Sequence, residues 1–174
     1  VAESHRNLLM WAHYAQEHTG AVIKLKCLPE RDSALCAARK VVYSKKPPVI
    51  SELDEYVKYL TGQGEAPRNY NLIFFRMFLT KSNHWRYEKE WRVFIPPYNM
   101  VNPKVPKDEN GKEILYDYIT LYPKEIHSIY FGCRMNDQTI KRIAEYLVDD
   151  FKHVRKYKSI RNEKDYKLDF EEFS

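Results

Sequence analysis

Apolar residues occur only in short runs in this chain, the longest being residues 8–12 and 72–75. A helix that crosses a bilayer needs about 20 apolar residues, so the sequence predicts no membrane-spanning helix. With 174 residues, 44% of them hydrophobic and 30% charged, the chain can instead bury a sizeable core. This composition excludes disordered, collagen-like and disulfide-scaffold classes and predicts a globular protein.

The spacing of the apolar residues changes along the chain between the period of a strand and that of a helix. Alternation predicts strands at residues 21–27, 39–44, 91–95, 114–121 and 127–133, with long loops at 62–69 and 98–111. Helical spacing predicts three helices, at residues 51–62, 73–81 and 137–151. Strands interleaved irregularly with helices predict an α+β fold with a mostly antiparallel sheet, as a single domain over residues 1–174. Residues 153–174 are predicted as a charged C-terminal tail or edge strands.

The first residues of the chain and its cysteines are the features that indicate a cellular location. The chain starts without a Met, and the apolar patch after Arg6 has no signal-peptide pattern, so we interpret the chain as an internal fragment. Cys27, Cys36 and Cys133 show no Cys-x-x-Cys spacing. We therefore expect a reducing cytoplasm, with Cys27 and Cys133 as small hydrophobic residues on inward strand faces.

A first polar cluster surrounds His13, which lies between Trp11 and Tyr14 and shortly before the turn at Gly20. A neutral imidazole in this setting can bind a ligand, with the two aromatic side chains as its walls. The alternative is a core histidine that is bonded to a backbone carbonyl.

The second cluster spans residues 81–92 and is rich in charged and aromatic side chains. A strand that starts near Glu88 would place Glu88, Glu90 and Arg92 on one face. Crowding would then raise the pKa of one carboxyl while Arg92 keeps the other ionised, as in an acid/base site. The alternative is an ordinary surface ion-pair ladder. Three aromatic residues within seven positions, including Trp85 and Tyr87, argue against a plainly solvated face.

Four segments carry a resemblance to a known family: LLMWAHYAQEHTGAVI, KVVYSKKPP, LTKSNHWRYEKEWRVF and LYPKEIHSIYFG. In their order and spacing the chain resembles a large uncharacterised bacterial family, a domain of unknown function of the DUF2971 type. Members of that family usually begin upstream with an extended segment and a strand rich in Phe and Ser. The resemblance implies that this chain lacks that segment.

A second resemblance concerns activity. The order His13, Tyr43, Glu90 resembles the signature of ADP-ribosyltransferase folds, which implies NAD as the cofactor. In that reading His13 holds the nicotinamide ribose, Tyr43 stacks on the nicotinamide, and Glu90 stabilises the oxocarbenium-like transition state. The remaining candidates would be a second carboxylate and ligand-binding side chains: Glu88, Lys81, Trp85, Tyr87, Arg92, Trp11 and Tyr14.

Three other functions stay open. The net charge of +5 permits phosphate-bearing partners, and a nucleic-acid module would contact phosphates through basic residues and stack bases on Trp85 and Tyr87. The basic residues of that hypothesis are Arg39, Lys40, Lys45, Lys46 and Arg86. A metal-dependent hydrolase is disfavoured because no Asp/His cluster has metal-ligand spacing. A structural or regulatory domain would use the same residues as a satisfied buried polar network. The enzymatic hypothesis, in contrast, predicts that His13 and the residues of the second cluster line one cleft.

Overall fold

The computed structural model describes residues 1–50, 53–94 and 121–173. In these ranges the α-helices are α1 (Leu8–Tyr14), α2 (Leu53–Leu60), α3 (Tyr70–Leu79) and α4 (Asp137–Glu145). The strands are β1 (Ala21–Leu25), β2 (Arg39–Lys40), β3 (Val42–Ser44), β4 (Thr80–Ser82), β5 (Trp91–Arg92), β6 (Ile126–Phe131), β7 (Arg155–Arg161) and β8 (Leu168–Phe173). Helices and strands are thus mixed, and the predicted α+β class is confirmed.

The chain divides into two compact units. Unit 1 comprises Val1–Ser4 and Arg39–Arg92, and unit 2 comprises His5–Ala38 and Val93–Ser174. The strand pairs β1/β6, β2/β5 and β7/β8 are antiparallel, whereas β3/β4 and β6/β7 are parallel. The sheets are therefore mixed.

Unit 2 is built on a four-stranded sheet in the order β1-β6-β7-β8, which is packed on both faces. Alternation along β6 sends Ile129 and Phe131 towards α4, where they pack with Ile140. Tyr130 points to the opposite face and packs with Trp11 of α1. The charged segment at residues 153–174 forms β7 and β8, and β8 lies at the edge of this sheet.

Gly132, at the end of β6, allows two backbone segments to approach closely. A Cβ atom at this position would lie 2.0 Å from the His18 carbonyl oxygen, so a larger residue does not fit without a backbone shift. The Gly132 N–H donates to the Gly20 carbonyl at 2.9 Å. Gly132 therefore ends β6 at a point where the backbone lies close to another element.

Unit 1 contains two small sheets, β2/β5 and β3/β4, with helices α2 and α3. The single strand predicted for residues 39–44 is divided at the buried Val41, whose N–H donates to the Glu90 carbonyl at 2.9 Å. The first residues of the chain join the same region through a β-bridge between Ala2 and Glu90. Side chains of the two helices stack where Tyr56 meets Tyr70.

The predicted helices have the expected positions, although their ends differ. Helix α4 begins after Asn136, whose side chain accepts the Thr139 N–H at 2.8 Å, but it ends at Glu145 rather than near 151. Helix α1 is an addition to the three predicted helices. The first two residues of the helix predicted over 51–62, the loop predicted over 98–111 and all but the last residue of the strand predicted over 114–121 lie outside the described residues. No helix in the described ranges is long and apolar enough to span a bilayer.

The cysteines differ from the sequence-based expectation. Cys27 lies beyond the end of β1, is exposed, and forms a disulfide with Cys36 across a Cα–Cα distance of 5.7 Å. The interpretation of Cys27 as an inward-facing hydrophobic residue is therefore wrong. Cys133 is half-buried and keeps a free thiol. Because disulfides persist mainly in oxidising compartments, the cysteines do not support the cytoplasmic location, which stays a prediction.

Candidate functional site

Four charged side chains of unit 1 form one ion-pair network. The Lys81 ammonium lies between two carboxylates: it contacts Glu88 Oε2 closely and Glu90 Oε2 at 3.0 Å. Arg92 approaches the same Glu90 carboxylate from Nε at 2.7 Å and from Nη2 at 3.2 Å. Its remaining nitrogen, Nη1, donates to the Phe78 carbonyl. Two cations and two carboxylates therefore balance each other's charge.

Local backbone geometry brings this network together. Parallel pairing of β3 and β4 sets Lys81 directly beside Tyr43. The Ser82 side chain then caps a 3₁₀-helix at Asn83–Glu88, so the strand predicted to start near Glu88 is wrong. Lys89 adopts a left-handed conformation with φ of 45°, which reverses the chain direction after the helix. Glu88 and Glu90 consequently meet at Lys81 from a turn and not from one strand face.

The network keeps its central carboxylate ionised. The hydrogen bond from Arg92 lowers the pKa of Glu90; burial acts in the opposite direction, and Lys81 lowers this pKa further. This agrees with the prediction that Arg92 keeps one carboxylate charged. Burial alone would lower the pKa of Lys81, but its hydrogen bonds to Glu88 and Glu90 raise that pKa overall. Glu88 is only 4% exposed, whereas the side chains of Lys81, Glu90 and Arg92 are 22%, 21% and 32% exposed, so the network is partly shielded from solvent.

Aromatic residues flank the network. The Tyr43 hydroxyl accepts the backbone N–H of Glu90 at 2.8 Å, which fixes the tyrosine ring against this turn. Lys81 Nζ lies 5.2 Å from the centre of the Trp85 ring, within the range of a cation–π interaction. Trp85 is 41% exposed, and its ring lies 6.1 Å from that of Tyr87. The second cluster thus assembles around Lys81.

A cavity of about 390 Å³ lies in the same unit. It is lined by Glu3, Lys40, Val41, Tyr43, Arg86 and Lys89. Lys40 pairs with Glu3 at 2.9 Å, and the Trp91 indole donates to the same carboxylate at 3.2 Å. Hydrogen bonds from Lys40 and then from Trp91 lower the pKa of Glu3. Three cations face one carboxylate, so the lining carries an excess of positive charge.

Residues 10–93 match the family model described as a protein of unknown function (DUF2971). This segment, just under half of the chain, is similar to the DUF2971 family. Of the four motifs that carry the resemblance, the first three fall in this range apart from residues 8, 9 and 94, and the fourth lies beyond it. Neither curated proteins nor solved structures gave a significant match to the chain.

The DUF2971 segment carries the ion-pair network and every lining residue of the cavity except Glu3. It also extends into unit 2, where α1 holds the first cluster. There Trp11 is buried, and its indole donates to the His5 carbonyl at 2.6 Å. His13 and Tyr14 are exposed, with ring centres 6.3 Å apart. His13 is therefore not a core histidine, and its predicted convergence with Glu90 stays a prediction.

Three lining residues of the cavity in unit 1 were not among the predicted site residues, namely Glu3, Val41 and Lys89. No local pattern marks Glu3, because its position depends on the bridge between Ala2 and Glu90. In the sequence, Lys89 is one of several neighbouring charged residues. Only its left-handed backbone conformation distinguishes it from them. Over the described ranges, no group of three or more His, Cys, Asp or Glu side chains is arranged to hold a metal ion.

Proposed function

We propose that unit 1 is a nucleotide-handling module that binds the phosphate groups of its ligand in the cavity lined by Lys40, Arg86 and Lys89. The observation that carries this proposal is the charge of the lining, three cations against the single carboxylate of Glu3. The cavity volume of about 390 Å³ falls in the range of small-molecule sites, roughly 300 to 1,000 Å³. A phosphate-bearing ligand is the class that such a lining recognises.

The side chains that line the cavity have different roles in this proposal. Arg86 offers a planar fork of donors that suits two phosphate oxygens at once, whereas Lys89 contributes a compact point charge. Lys40 pairs with Glu3 at 2.9 Å beside the cavity. Tyr43 supplies a wall whose orientation depends on its hydrogen bond to Glu90. The site is thus held in shape before a ligand arrives, which lowers the entropic cost of binding.

The ion-pair network has a supporting role in this proposal. Both oxygens of Glu90 already accept hydrogen bonds from Lys81 and Arg92. Because the two cations and the two carboxylates of the network are balanced, it adds little net attraction for an anion. Its function is to hold the turn that contains Glu90, and through this turn the Tyr43 wall. This role corresponds to the satisfied polar network of the structural interpretation.

The test is a calorimetric titration of the protein with ADP and NAD at about 50 mM salt. Arg86→Gln should weaken binding at least ten-fold, because a charge-assisted hydrogen bond contributes about 1.5 to 3 kcal/mol. Lys58→Gln, an exposed cation of α2 outside the cavity lining, is the matched control and should bind as the parent protein does. Failure of the parent protein to bind either nucleotide, or equal binding by Arg86→Gln, would contradict the proposal.

An ADP-ribosyltransferase-like activity is the second candidate. It is favoured by the contact between the Tyr43 hydroxyl and the Glu90 backbone, which brings two of the three resembling residues together. The lowered pKa of Glu90 supplies the fixed negative charge that such chemistry requires near a developing cation. In this candidate NAD is the substrate, and release of nicotinamide is the measurement that tests it.

A nucleic acid is an alternative source of the same phosphate chemistry. Lys45 and Lys46, which follow β3, are exposed, and we propose that they extend phosphate contacts beyond the cavity. Salt dependence distinguishes the ligands. Binding that neutralises many phosphates weakens by orders of magnitude between about 50 and 200 mM salt, whereas a mononucleotide with few contacts loses much less.

A further inference from the structure

A second cavity, in unit 2, is independent of the nucleotide proposal because all its lining residues belong to that unit. Its volume is about 220 Å³, and it is lined by Leu28, Arg31, Tyr122, Pro123, Lys124 and Asp150. One wall is the loop that the Cys27–Cys36 disulfide closes, and the opposite wall is the turn that precedes β6. Neither wall contributes to the site in unit 1.

A single buried carboxylate accepts hydrogen bonds from both walls of the cavity. Glu125 is 1% exposed, and its Oε1 accepts the Ser33 hydroxyl of the disulfide loop. Its Oε2 accepts the backbone N–H of Tyr122 at 2.7 Å, on the other side of the cavity. Within the loop, the N–H of Arg31 donates to the Leu28 carbonyl at 3.0 Å. The backbone segments on the two sides of the cavity are therefore joined through one carboxylate.

The lining combines an aromatic surface with cationic groups. Leu28 is 5% exposed, and with Pro123 it supplies apolar surface beside the Tyr122 ring. The Arg31 guanidinium lies 5.8 Å from the centre of that ring. With Lys124 it gives two cations, which face the single carboxylate of Asp150. The lining thus suits a ligand with an apolar planar body and one negative charge.

The volume limits the size of that ligand. An apolar cavity of about 150 Å³ is known to hold one benzene ring. At about 220 Å³, this cavity has room for a single ring with one small anionic substituent. This volume lies below the roughly 300 to 1,000 Å³ that is usual for sites of drug-sized ligands, so a ligand smaller than a nucleotide suits it better. The Arg31 fork matches the two oxygens of a carboxylate.

We propose that this cavity binds a small monocyclic aromatic carboxylate, with the carboxylate paired to Arg31 and the ring packed against Leu28, Pro123 and Tyr122. Lys124 adds a second, less directional attraction for the anion. The Ser33–Glu125–Tyr122 connection keeps the two sides of the ligand site at a constant separation.

Benzoate is the probe, titrated into the full chain and followed by NMR at the Leu28 methyl and Tyr122 ring resonances. We expect saturable shifts at both residues. Arg31→Gln should weaken the binding of benzoate at least ten-fold, and the exposed Arg31 side chain makes this variant compatible with folding. Lys24→Gln, an exposed cation of β1 outside the cavity lining, is the matched control and should leave the affinity unchanged.

Two further ligands test the chemistry. Benzyl alcohol, which keeps the ring and lacks the charge, should bind at least ten-fold more weakly than benzoate. Phenyl phosphate shares the aromatic ring and the negative charge of benzoate. If the protein bound phenyl phosphate more than ten-fold more tightly than benzoate, the assignment to a carboxylate ligand would be overturned. Absence of saturable shifts with benzoate, or equal affinity of the parent protein and Arg31→Gln, would overturn the proposed site.

Discussion

The Tyr43 hydroxyl accepts the backbone N–H of Glu90 at 2.8 Å and so connects two motifs that are 47 residues apart in the sequence. On one side of this bond lies the ion-pair network of Lys81, Glu90 and Arg92. On the other side the tyrosine ring forms part of the basic cavity. A perturbation of the network should therefore be transmitted to the cavity through Tyr43.

Tyr43→Phe tests this connection. The substitution keeps the ring but removes the acceptor of the Glu90 N–H, so the free energy of unfolding should fall by about 1 kcal/mol. Nucleotide affinity should fall as well, because the cavity wall loses its fixed orientation. Tyr166→Phe, at a fully exposed position, serves as control and should change neither quantity. Unchanged stability of Tyr43→Phe in urea titrations would show that the hydrogen bond has no supporting role.

Mild acid should destabilise unit 2 through His18. Burial lowers the pKa of His18 below the usual 6.5, and the positive charges of Arg161 and Arg134 lower it further. Among the described buried side-chain atoms, its Nδ1 has no hydrogen-bond partner, and its ring stacks on Trp11 at 6.2 Å. The unfolded chain therefore binds the proton more readily, so stability is complete above pH 6.5 and is lost as the pH falls through the lower folded-state pKa.

The measurement is urea unfolding at pH 7.5 and at pH 5.5. His18→Asn should reduce the difference between the two pH values, because asparagine does not titrate and tolerates the positive φ of 69° at this position. Burial lowers the pKa of His5 and His127 too, so part of the pH dependence should remain. An identical pH dependence in His18→Asn and the parent protein would rule out His18 as a contributor.

Local patterns were sufficient to predict elements whose stability comes from nearby residues. Helix α4 is an example: Asn136 caps its first turn, and Ile140 and Ile143 recur on one buried face. The clustering of charged and aromatic residues over 81–92 also predicted a polar cluster correctly. What local alternation could not predict is the left-handed backbone of Lys89, because that conformation is stabilised by pairing with distant segments.

Long-range pairings account for the other differences. The Cys27–Cys36 disulfide has no sequence motif, since cysteine connectivity follows from how the loop folds back. Lys40 and Glu3 lie 2.9 Å apart because separate segments both pair with the region around Glu90. The buried connection of Ser33 with Glu125 spans 92 residues. Such contacts depend on the topology and leave no periodic signal.

The disulfide should contribute measurably to stability. It joins two cysteines separated by nine positions, and closing a loop of that length in the unfolded chain corresponds to about 2 to 3 kcal/mol. The double variant Cys27→Ser/Cys36→Ser should therefore melt about 5 to 10 °C lower. Cys133→Ala, at the free thiol, is the control and should show a smaller change. A thiol titration of the denatured, unreduced protein should count one free thiol, and a count of three would contradict the pairing.

Glu90→Gln separates catalysis from structural support. If the domain handles NAD, loss of this negative charge should abolish nicotinamide release while ligand binding persists, because only the stabilisation of the transition state is removed. Glu88→Gln should affect turnover less, and His13→Ala should weaken binding if His13 holds the ribose as the ADP-ribosyltransferase resemblance implies. Nicotinamide release and thermal stability are to be measured on the same three variants.

The structural interpretation predicts a different pattern for the same variants. Glu90 accepts hydrogen bonds from both Lys81 and Arg92, so Glu90→Gln would leave the partly buried Arg92 without its carboxylate and Lys81 with Glu88 alone. Removing one partner from a fully buried pair costs about 3 to 5 kcal/mol, and here partial exposure to solvent should reduce the loss to about 1 to 3 kcal/mol. Glu88→Gln should be similarly destabilising because Glu88 is the more buried carboxylate, whereas His13→Ala should have little effect at its exposed position. Loss of stability in both glutamate variants, together with no nicotinamide release from the parent protein, would exclude the transferase candidate and leave the network as the support of the nucleotide cavity.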